Sequence, residues 1–236
     1  MLNLNSKILE DIVCDSLDSH LGINGLIHPN QWGFKKGVST ESLLLYLTET
    51  WKKAGFFVDF KKSFDTIDHA ILKSKLSDLG VSGVFHEWIA SYLHEISQYV
   101  NVNGARSNLR QTAIGVPQGS LLGARFFAIY VNDLANSSEI GRIHMFADDT
   151  TIYYIGKEVE ETIDASNHIL NDFRVWCCKN HLTVHTGKTV AMLISNYAFL
   201  GPLRPLMFGN SYIHFTTKST CFGVEIHYKT ELETPS

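Results

Sequence analysis

The chain has 236 residues, of which 44% are hydrophobic and 19% are charged, with a formal net charge of −4. This composition excludes a disordered or fibrous protein, and the length is enough for one large domain, or two closely packed ones, with a sizeable core. The acidic balance supplies no global basic field, so a nucleic-acid partner would require positive charge that is concentrated locally.

The sequence shows no sign of secretion, membrane insertion or division into independent units. Its four cysteines have no paired metal-ligand spacing, the N-terminus lacks a signal peptide, and no apolar run is long enough to span a bilayer. We therefore expect an intracellular protein, nuclear or cytoplasmic, with reduced thiols and no membrane partner. Because no repeat or linker interrupts the chain, one domain is predicted over residues 1–236.

The first third of the chain predicts helices around one strand. Apolar residues recur at helical spacing in two stretches, Ile8, Ile12, Leu17 and Leu21, then Leu43, Leu44, Leu47 and Trp51. A GFKKG loop lies between these two helices. The apolar run FFVDF predicts a strand, KKSFDTIDH a turn, and two further helices follow through Ile71, Leu72, Leu76 and Leu79, and through Val84, Trp88 and Tyr92.

The remainder alternates strands and helices. QYVNVNG and ARSNLRQT predict a hairpin with an Asn-Gly turn, and GVPQGS breaks regular structure before the buried helix LLGARFFAIYVNDL. IHMFADDTTIYYI predicts a second hairpin. A helix from about Val159 to Trp176 and strands around Leu182–Ser195 and Phe222–Ile226 close the chain. This order favours an α+β fold with helices on one face of a sheet.

Two adjacent carboxylates, Asp148 and Asp149, lie at the tip of that second hairpin, and Asp59 ends the FFVDF strand. Neighbouring anions repel each other, so these acids either cap tight turns or hold cations. If the two strands are neighbours, the carboxylates converge. Hard oxygen ligands of this kind suit Mg²⁺ or Mn²⁺, and two such ions about 3.5–4 Å apart support in-line phosphoryl displacement.

Five segments together carry a family resemblance. QWGFKKGVST, FFVDFKKSFDTIDHAIL, GVPQGSLLGARFFAIYVNDL, MFADDT and NHLTVHTGKTVAML resemble, in this order, the reverse transcriptase domain of non-LTR (LINE-type, jockey-like) retrotransposons. The matches run from about Lys7 to Tyr228. The resemblance implies a right-hand polymerase with an antiparallel palm sheet backed by helices. About residues 1–55 would form fingers-side helices and a loop, and about 56–230 would form mainly palm with some fingers strands. Such an enzyme extends a DNA primer with dNTPs along an RNA template.

The same resemblance implies the residue roles. Asp59, Asp148 and the Phe60 carbonyl would hold two Mg²⁺ or Mn²⁺ ions, and Asp149 would complete the acidic cluster. Phe64 falls where a ring excludes a ribose 2′-hydroxyl, although a core aromatic is the ordinary alternative. The remaining residues predicted to contact nucleotide are Lys35, Lys36, Gln118, Gly119 and Lys188. The sequence TGKT around Lys188 is not a complete phosphate-binding loop, because Leu182 stands where its first glycine is required.

Some positions depart from the family pattern. Val38 replaces an arginine, and Arg125 stands inside an apolar helix, where a charge is costly unless it has a partner. His69, His144, His181 and His185 lack a zinc-ligand spacing and are expected to lie at the surface or to support the site. We expect a fragment without a thumb. Its alternatives to polymerisation are an inactive remnant that binds nucleic acid weakly, or a two-metal nuclease.

Overall fold

The computed structural model describes residues 4–33, 37–50, 54–58, 60, 63–117, 119–194, 203–221 and 224–227. The chain forms two compact units, one from Met1–Ile27 and Lys62–Asn132 and the other from His28–Lys61 and Asp133–Ser236. We refer to these as the first and second unit. None of the helices in the described ranges has both the length and the hydropathy needed to cross a bilayer.

The helices of the described residues are α1 (Leu4–Ile23), α2 (Thr40–Thr50), α3 (His69–Asp78), α4 (Gly83–His94), α5 (Leu121–Tyr130) and α6 (Val159–Lys179). The strands are β1 (Ala54–Val58), β2 (Ser97–Gln98), β3 (Asn101–Val102), β4 (Ala105–Arg106), β5 (Arg110–Gln111), β6 (Arg142–Phe146), β7 (Asp149–Tyr154), β8 (Val190–Leu193), β9 (Leu206–Phe208), β10 (Ser211–Phe215), β11 (Lys218–Cys221) and β12 (Val224–His227). All six helices agree with the sequence prediction.

The first unit contains α1, α3, α4, α5 and the hairpin from β2 to β5. Local chemistry sets its element boundaries: the Asp68 carboxylate accepts hydrogen bonds from the Ala70 and Ile71 amides at the start of α3. In the hairpin, Asn103 and Gly104 both have positive φ, which is the backbone that the predicted Asn-Gly turn requires. The hairpin prediction is therefore confirmed.

The buried face of α1 differs from the predicted stripe. Ile8 and Ile12 are exposed, whereas Val13, Leu17 and Leu21 are buried together with Glu10, which is only 2% exposed. Positions 10, 13, 17 and 21 also follow helical spacing, but a stripe chosen by hydropathy passes over a glutamate. The burial of Glu10 is possible because its carboxylate is fully supplied with hydrogen-bond donors.

Arg125 of α5 is accommodated by an ion pair with α1. Its guanidinium lies 3.2 Å from the Asp18 carboxylate, and both side chains remain partly exposed. Burial lowers the pKa of Arg125, but the hydrogen bond and charge of Asp18 outweigh that effect and leave the pKa raised. The arginine therefore stays charged and supports the contact between α1 and α5.

The second unit is built on a six-stranded sheet with the order β6-β7-β1-β8-β10-β9. Its pairs are antiparallel except for β8 and β10, which run parallel, so the sheet is mixed and not wholly antiparallel as predicted. β11 and β12 form a separate two-stranded sheet. Tyr153 and Met192 are buried with α2 on one face of the sheet. The opposite face carries the fully buried Ala191, and Phe208 on that face packs against Phe173 of α6. The expectation of helices on one face only is therefore wrong.

Candidate active site

The two adjacent carboxylates lie where β6 turns into β7. Phe146 pairs with Asp149, so Ala147 and Asp148 alone form the turn, and both acids are exposed. Ala147 has φ +56°, a left-handed backbone that is unfavourable for a residue with a Cβ. The predicted hairpin is confirmed, with Asp148 in the turn and Asp149 as the first residue of β7.

The strand that precedes Asp59 in sequence lies directly beside this hairpin. β1 pairs with β7 so that Val58 is opposite Thr150, the residue after Asp149. The neighbouring strands on which the convergence of the acids depends are thus present. Asp59 itself lies outside the described residues, whereas Phe60 is buried and forms an isolated antiparallel bridge with Val184. Within the described ranges, no three His, Cys, Asp or Glu side chains are grouped to hold a metal ion.

A short segment, Asn30–Gly33, which we name the edge strap, follows the outer side of β6. The Met145 amide donates to the Asn30 carbonyl at 2.9 Å, and the Trp32 amide donates to the Met145 carbonyl at 2.7 Å. These bonds occupy the free edge of β6, which is the last strand of the sheet. The edge strap therefore holds the strand that carries the turn.

Gly33 brings the edge strap against the turn itself. A Cβ at this position would lie 2.4 Å from the Ala147 nitrogen and 3.2 Å from the Ala147 Cα. The Gly33 amide donates to the Gln31 side-chain oxygen at 3.0 Å, which is a hydrogen bond within the edge strap itself. Only glycine fits here, because the neighbour is backbone and not a movable side chain.

His144, in β6, links the edge strap to the sheet through its ring. Its Nδ1 accepts a hydrogen bond from the Trp32 indole at 3.1 Å, and the ring stacks on Tyr153 with centroids 5.6 Å apart. Burial lowers the pKa of His144 to about 4, and the charges of His28 and Arg142 act in the same direction. The neutral imidazole is thus the form that the folded chain requires.

His144 should make the chain less stable in mild acid. In the unfolded chain the histidine binds a proton below a pH of about 6.5, whereas in the folded chain it stays neutral until about pH 4. The contribution of neutral His144 to the free energy of unfolding is therefore complete above pH 6.5 and is lost as the pH falls toward 4. We expect a loss of about 2 kcal/mol between pH 7 and 4.5. Urea unfolding at both pH values measures the loss. In His144→Gln, which keeps an acceptor for the Trp32 indole, the free energy of unfolding should fall by about 2 kcal/mol less between pH 7 and 4.5 than in the wild-type chain. An identical pH dependence in the variant would contradict the assignment.

The other predicted residues that the structure describes lie mainly in the first unit. Phe64 is half-buried in a 3₁₀ turn over Ser63–Asp65, and its ring centroid is 5.2 Å from that of Phe127. The Phe64 carbonyl accepts a hydrogen bond from the Val116 amide at 2.9 Å. Phe64 is therefore joined through its backbone to the start of the GVPQGS loop.

That loop, Gly115–Ser120, is anchored at its first residue. The Gly115 amide donates to the Ile67 carbonyl at 2.8 Å, and the buried His69 donates from Nε2 to the Gly115 carbonyl at 2.7 Å. Gly115 has φ +82°, and a Cβ there would lie 2.9 Å from the Asp65 carbonyl oxygen. Glycine is therefore required at this position, because the obstacle to a side chain is backbone.

The remaining predicted residues are less constrained or are not described. Gly119 is exposed with φ +79°, and Lys188 is exposed in a turn where its amide donates to the His185 carbonyl at 2.8 Å. Lys35, Lys36 and Gln118 lie outside the described residues. Of the histidines near the motifs, His69 and His144 are buried and support the loop and the edge strap, and His181 is exposed.

Sequence reasoning assigned no role to Gly33, Trp32 or Glu10. Gly33 lies next to Trp32 in the QWGFKKG segment, and this isolated glycine could have indicated a close approach of backbone. Glu10 carried no such signal, because its partners are 82 to 111 residues away. Long-range contacts of this kind cannot be inferred from local periodicity.

Comparison with known proteins identifies the family. The family model for the reverse transcriptase (RNA-dependent DNA polymerase) matches residues 1–222. Similar curated proteins include a probable RNA-directed DNA polymerase from transposon BS of Drosophila melanogaster and the RNA-directed DNA polymerase from mobile element jockey of Drosophila funebris. Each is 26% identical over 205 residues, and each alignment covers 80% of this chain and 22% of the relative. The chain thus spans about a fifth of the length of these relatives.

Solved structures show the same fold at low identity. The chain matches apo telomerase from Candida tropicalis with a TM-score of 0.59 at 14% identity, covering 92% of this chain and 39% of that one. It also matches telomerase from Candida albicans in complex with a fragment of telomeric RNA, with a TM-score of 0.55 at 14% identity, covering 98% and 38%. The described elements are accordingly those of an α+β polymerase fold. Together with the match over residues 1–222, this confirms the predicted resemblance: the chain belongs to the reverse transcriptase (RNA-dependent DNA polymerase) family, with relatives among non-LTR retrotransposons.

Proposed function

We propose that the chain carries RNA-directed DNA polymerase activity, in which dNTPs are added to a primer 3′-hydroxyl on an RNA template. The observation that carries this proposal is the exposed Asp148–Asp149 pair on a two-residue hairpin turn, beside the strand that leads into Asp59. Adjacent acids repel each other unless a cation neutralises them, and Ala147 adopts an unfavourable left-handed backbone, so a ligand that requires both acids explains their position on this turn. The relatives' names, RNA-directed DNA polymerase, agree with this chemistry.

The donor set fits divalent cations. Asp59 and Asp148 would supply carboxylate oxygens and Phe60 its backbone carbonyl, which are the hard ligands that Mg²⁺ and Mn²⁺ prefer. When bound, two such ions activate the attacking hydroxyl and neutralise the leaving pyrophosphate. Asp149 would add negative charge next to the ligands and thereby favour cation binding. These side chains would thus hold the ions that the proposed displacement requires.

The nucleotide would be bound by residues on separate elements. Phe64 presents a half-buried ring on the Ser63–Asp65 turn, and we assign it the role of excluding a ribose 2′-hydroxyl. Gln118 and Gly119 would contact the base or the template, and Lys35 and Lys36 would contact the triphosphate. Lys188 would donate a proton to the leaving pyrophosphate. The six-stranded sheet corresponds in this proposal to the palm of a right-hand polymerase.

Primer extension tests the proposed activity. Purified chain, shown to be folded by circular dichroism, is incubated with poly(rA)/oligo(dT), Mg²⁺ and dTTP. We expect extension that stops on addition of EDTA and that is much weaker with UTP than with dTTP. A folded chain that extends no primer with either Mg²⁺ or Mn²⁺ would favour the inactive remnant, which the replacement of an expected arginine by Val38 also suggests.

A further inference from the structure

Glu10 is a buried carboxylate that the proposed chemistry does not use. It lies on the inner face of α1, and both of its oxygens accept hydrogen bonds. Oε1 accepts from the Tyr92 hydroxyl of α4 at 2.6 Å and from the Ser120 hydroxyl at 2.9 Å. Oε2 accepts from the Leu121 amide at 2.8 Å. One side chain thus joins α1, α4 and the first turn of α5.

The Ser120 end of this network is also the end of the Gly115–Ser120 loop. Ser120 is the N-cap of α5, and its hydroxyl oxygen accepts the Gly123 amide at 2.9 Å. A negative charge at a helix N-terminus is favourable, and the Leu121 amide is a donor that no helix residue can satisfy. Glu10 therefore fixes the position at which the loop enters the helix.

The loop is held at its other end by different residues. Gly115 and Val116 are bonded to Ile67, Phe64 and His69, as described above. The two anchored ends leave only Pro117–Gly119 between them, and this part contains the glutamine and glycine that the proposed function assigns to nucleotide or template. Because so few residues separate the two anchors, a shift at Ser120 changes the position at which the chain leaves this span.

We propose that Glu10 is a positioning residue that fixes the Gly115–Ser120 loop in the geometry required for nucleotide binding. The effect of Glu10 on nucleotide binding rests on the proposed function, whereas its effect on the position of the loop does not. Burial and the hydrogen bond to Glu10 raise the pKa of Tyr92, so the Tyr92 hydroxyl remains a donor to the carboxylate at all ordinary pH values.

Two Glu10 variants and one control separate positioning from general stability. Glu10→Leu removes every acceptor, whereas Glu10→Gln can keep its oxygen on the Leu121 amide and turn its NH₂ group toward the two hydroxyls, which can accept. Asp18→Asn is the control, because it weakens the ion pair with Arg125 between the same two helices without touching the loop.

The first measurement is hydrogen–deuterium exchange, which needs no catalysis. We expect faster exchange in residues 115–123 of Glu10→Leu, a smaller change in Glu10→Gln, and none in Asp18→Asn, with α3 unchanged throughout. Equal acceleration along all of the first unit in Glu10→Leu, together with wild-type exchange in Glu10→Gln, would overturn the proposal. If Glu10→Leu does not fold, the comparison of Glu10→Gln with Asp18→Asn decides the question, and an unaltered loop in Glu10→Gln then counts against positioning.

The second measurement is steady-state primer extension. Because a misplacement of about 1 Å can cost up to roughly a hundredfold, we expect the KM for dTTP to rise by about tenfold or more in Glu10→Leu, with partial rescue in Glu10→Gln and less than about a twofold change in Asp18→Asn. An unchanged KM in a folded Glu10→Leu variant would overturn the catalytic part of the proposal. An inactive wild-type chain would count against the proposed function, while the exchange data would still decide the role of Glu10.

Discussion

Replacing Asp148 by asparagine is expected to lower the rate of nucleotide addition by more than about a hundredfold. Loss of a partner behind a metal ligand already costs roughly 10- to 100-fold, so loss of a ligand should cost more. Asparagine keeps the size of the side chain and removes its charge, so the Ala147–Asp148 turn should persist. Primer extension under single-turnover conditions measures the change directly.

Metal binding provides the independent readout for this variant. Calorimetric titration with Mn²⁺ should show weaker binding to Asp148→Asn than to the wild-type chain. Asp15→Asn, which alters an exposed carboxylate on α1, is the matched control and should leave both rate and Mn²⁺ binding unchanged. Retention of the wild-type rate by a folded Asp148→Asn variant would refute the assignment of this residue as a ligand.

The stability of this variant should change little in metal-free buffer, because asparagine keeps a side-chain oxygen that can accept hydrogen bonds. Adjacent acids repel one another when no cation neutralises them, so removal of one charge relieves that repulsion. A loss of activity together with unchanged or slightly higher stability is the pattern of a residue retained for its ligand. If Asp148 only capped the turn, its replacement would lower activity and stability together.

The parts of the fold that sequence predicted correctly are those determined by local physics. The helical stripe of α6, the Asn103–Gly104 turn and the alternation around Asp148 and Asp149 each follow from residues a few positions apart. A local signal was also missed: Gly209 and Asn210 form the turn between β9 and β10, and a Gly-Asn dipeptide between short strands is typical of a hairpin. These strands are only three and five residues long, which weakens any periodicity.

The parts that sequence could not predict depend on partners far along the chain. Arg125 in an apolar helix predicted a conflict, which Asp18 resolves from 107 residues away. The parallel pairing of β8 with β10 and the buried donors around Glu10 are equally non-local. Sequence reasoning therefore identified the acids of the candidate site but not the residues that hold its loops in position.

Replacing Gly33 by alanine is expected to destabilise the chain by about 3 kcal/mol, the upper part of the range for overpacking a buried site. The added methyl would lie 2.4 Å from the Ala147 nitrogen, and it cannot be relieved by a side-chain rotation because the obstacle is backbone. The edge strap cannot retreat either without breaking its hydrogen bonds with Met145. Urea unfolding measures the loss.

Gly22→Ala is the control for this prediction, because a Cβ at Gly22 meets no atom within 4 Å and the residue lies in α1. Alanine there should stabilise the helix by up to about 1 kcal/mol, so the two glycine replacements are expected to differ in sign. Since the collision lies one residue before Asp148, the Gly33→Ala chain should also bind Mn²⁺ more weakly under conditions where it remains folded. If Gly33→Ala is as stable as the wild-type chain, the Ala147–Asp148 turn can shift to accept the methyl group. The edge strap would then have no part in positioning Asp148 and Asp149.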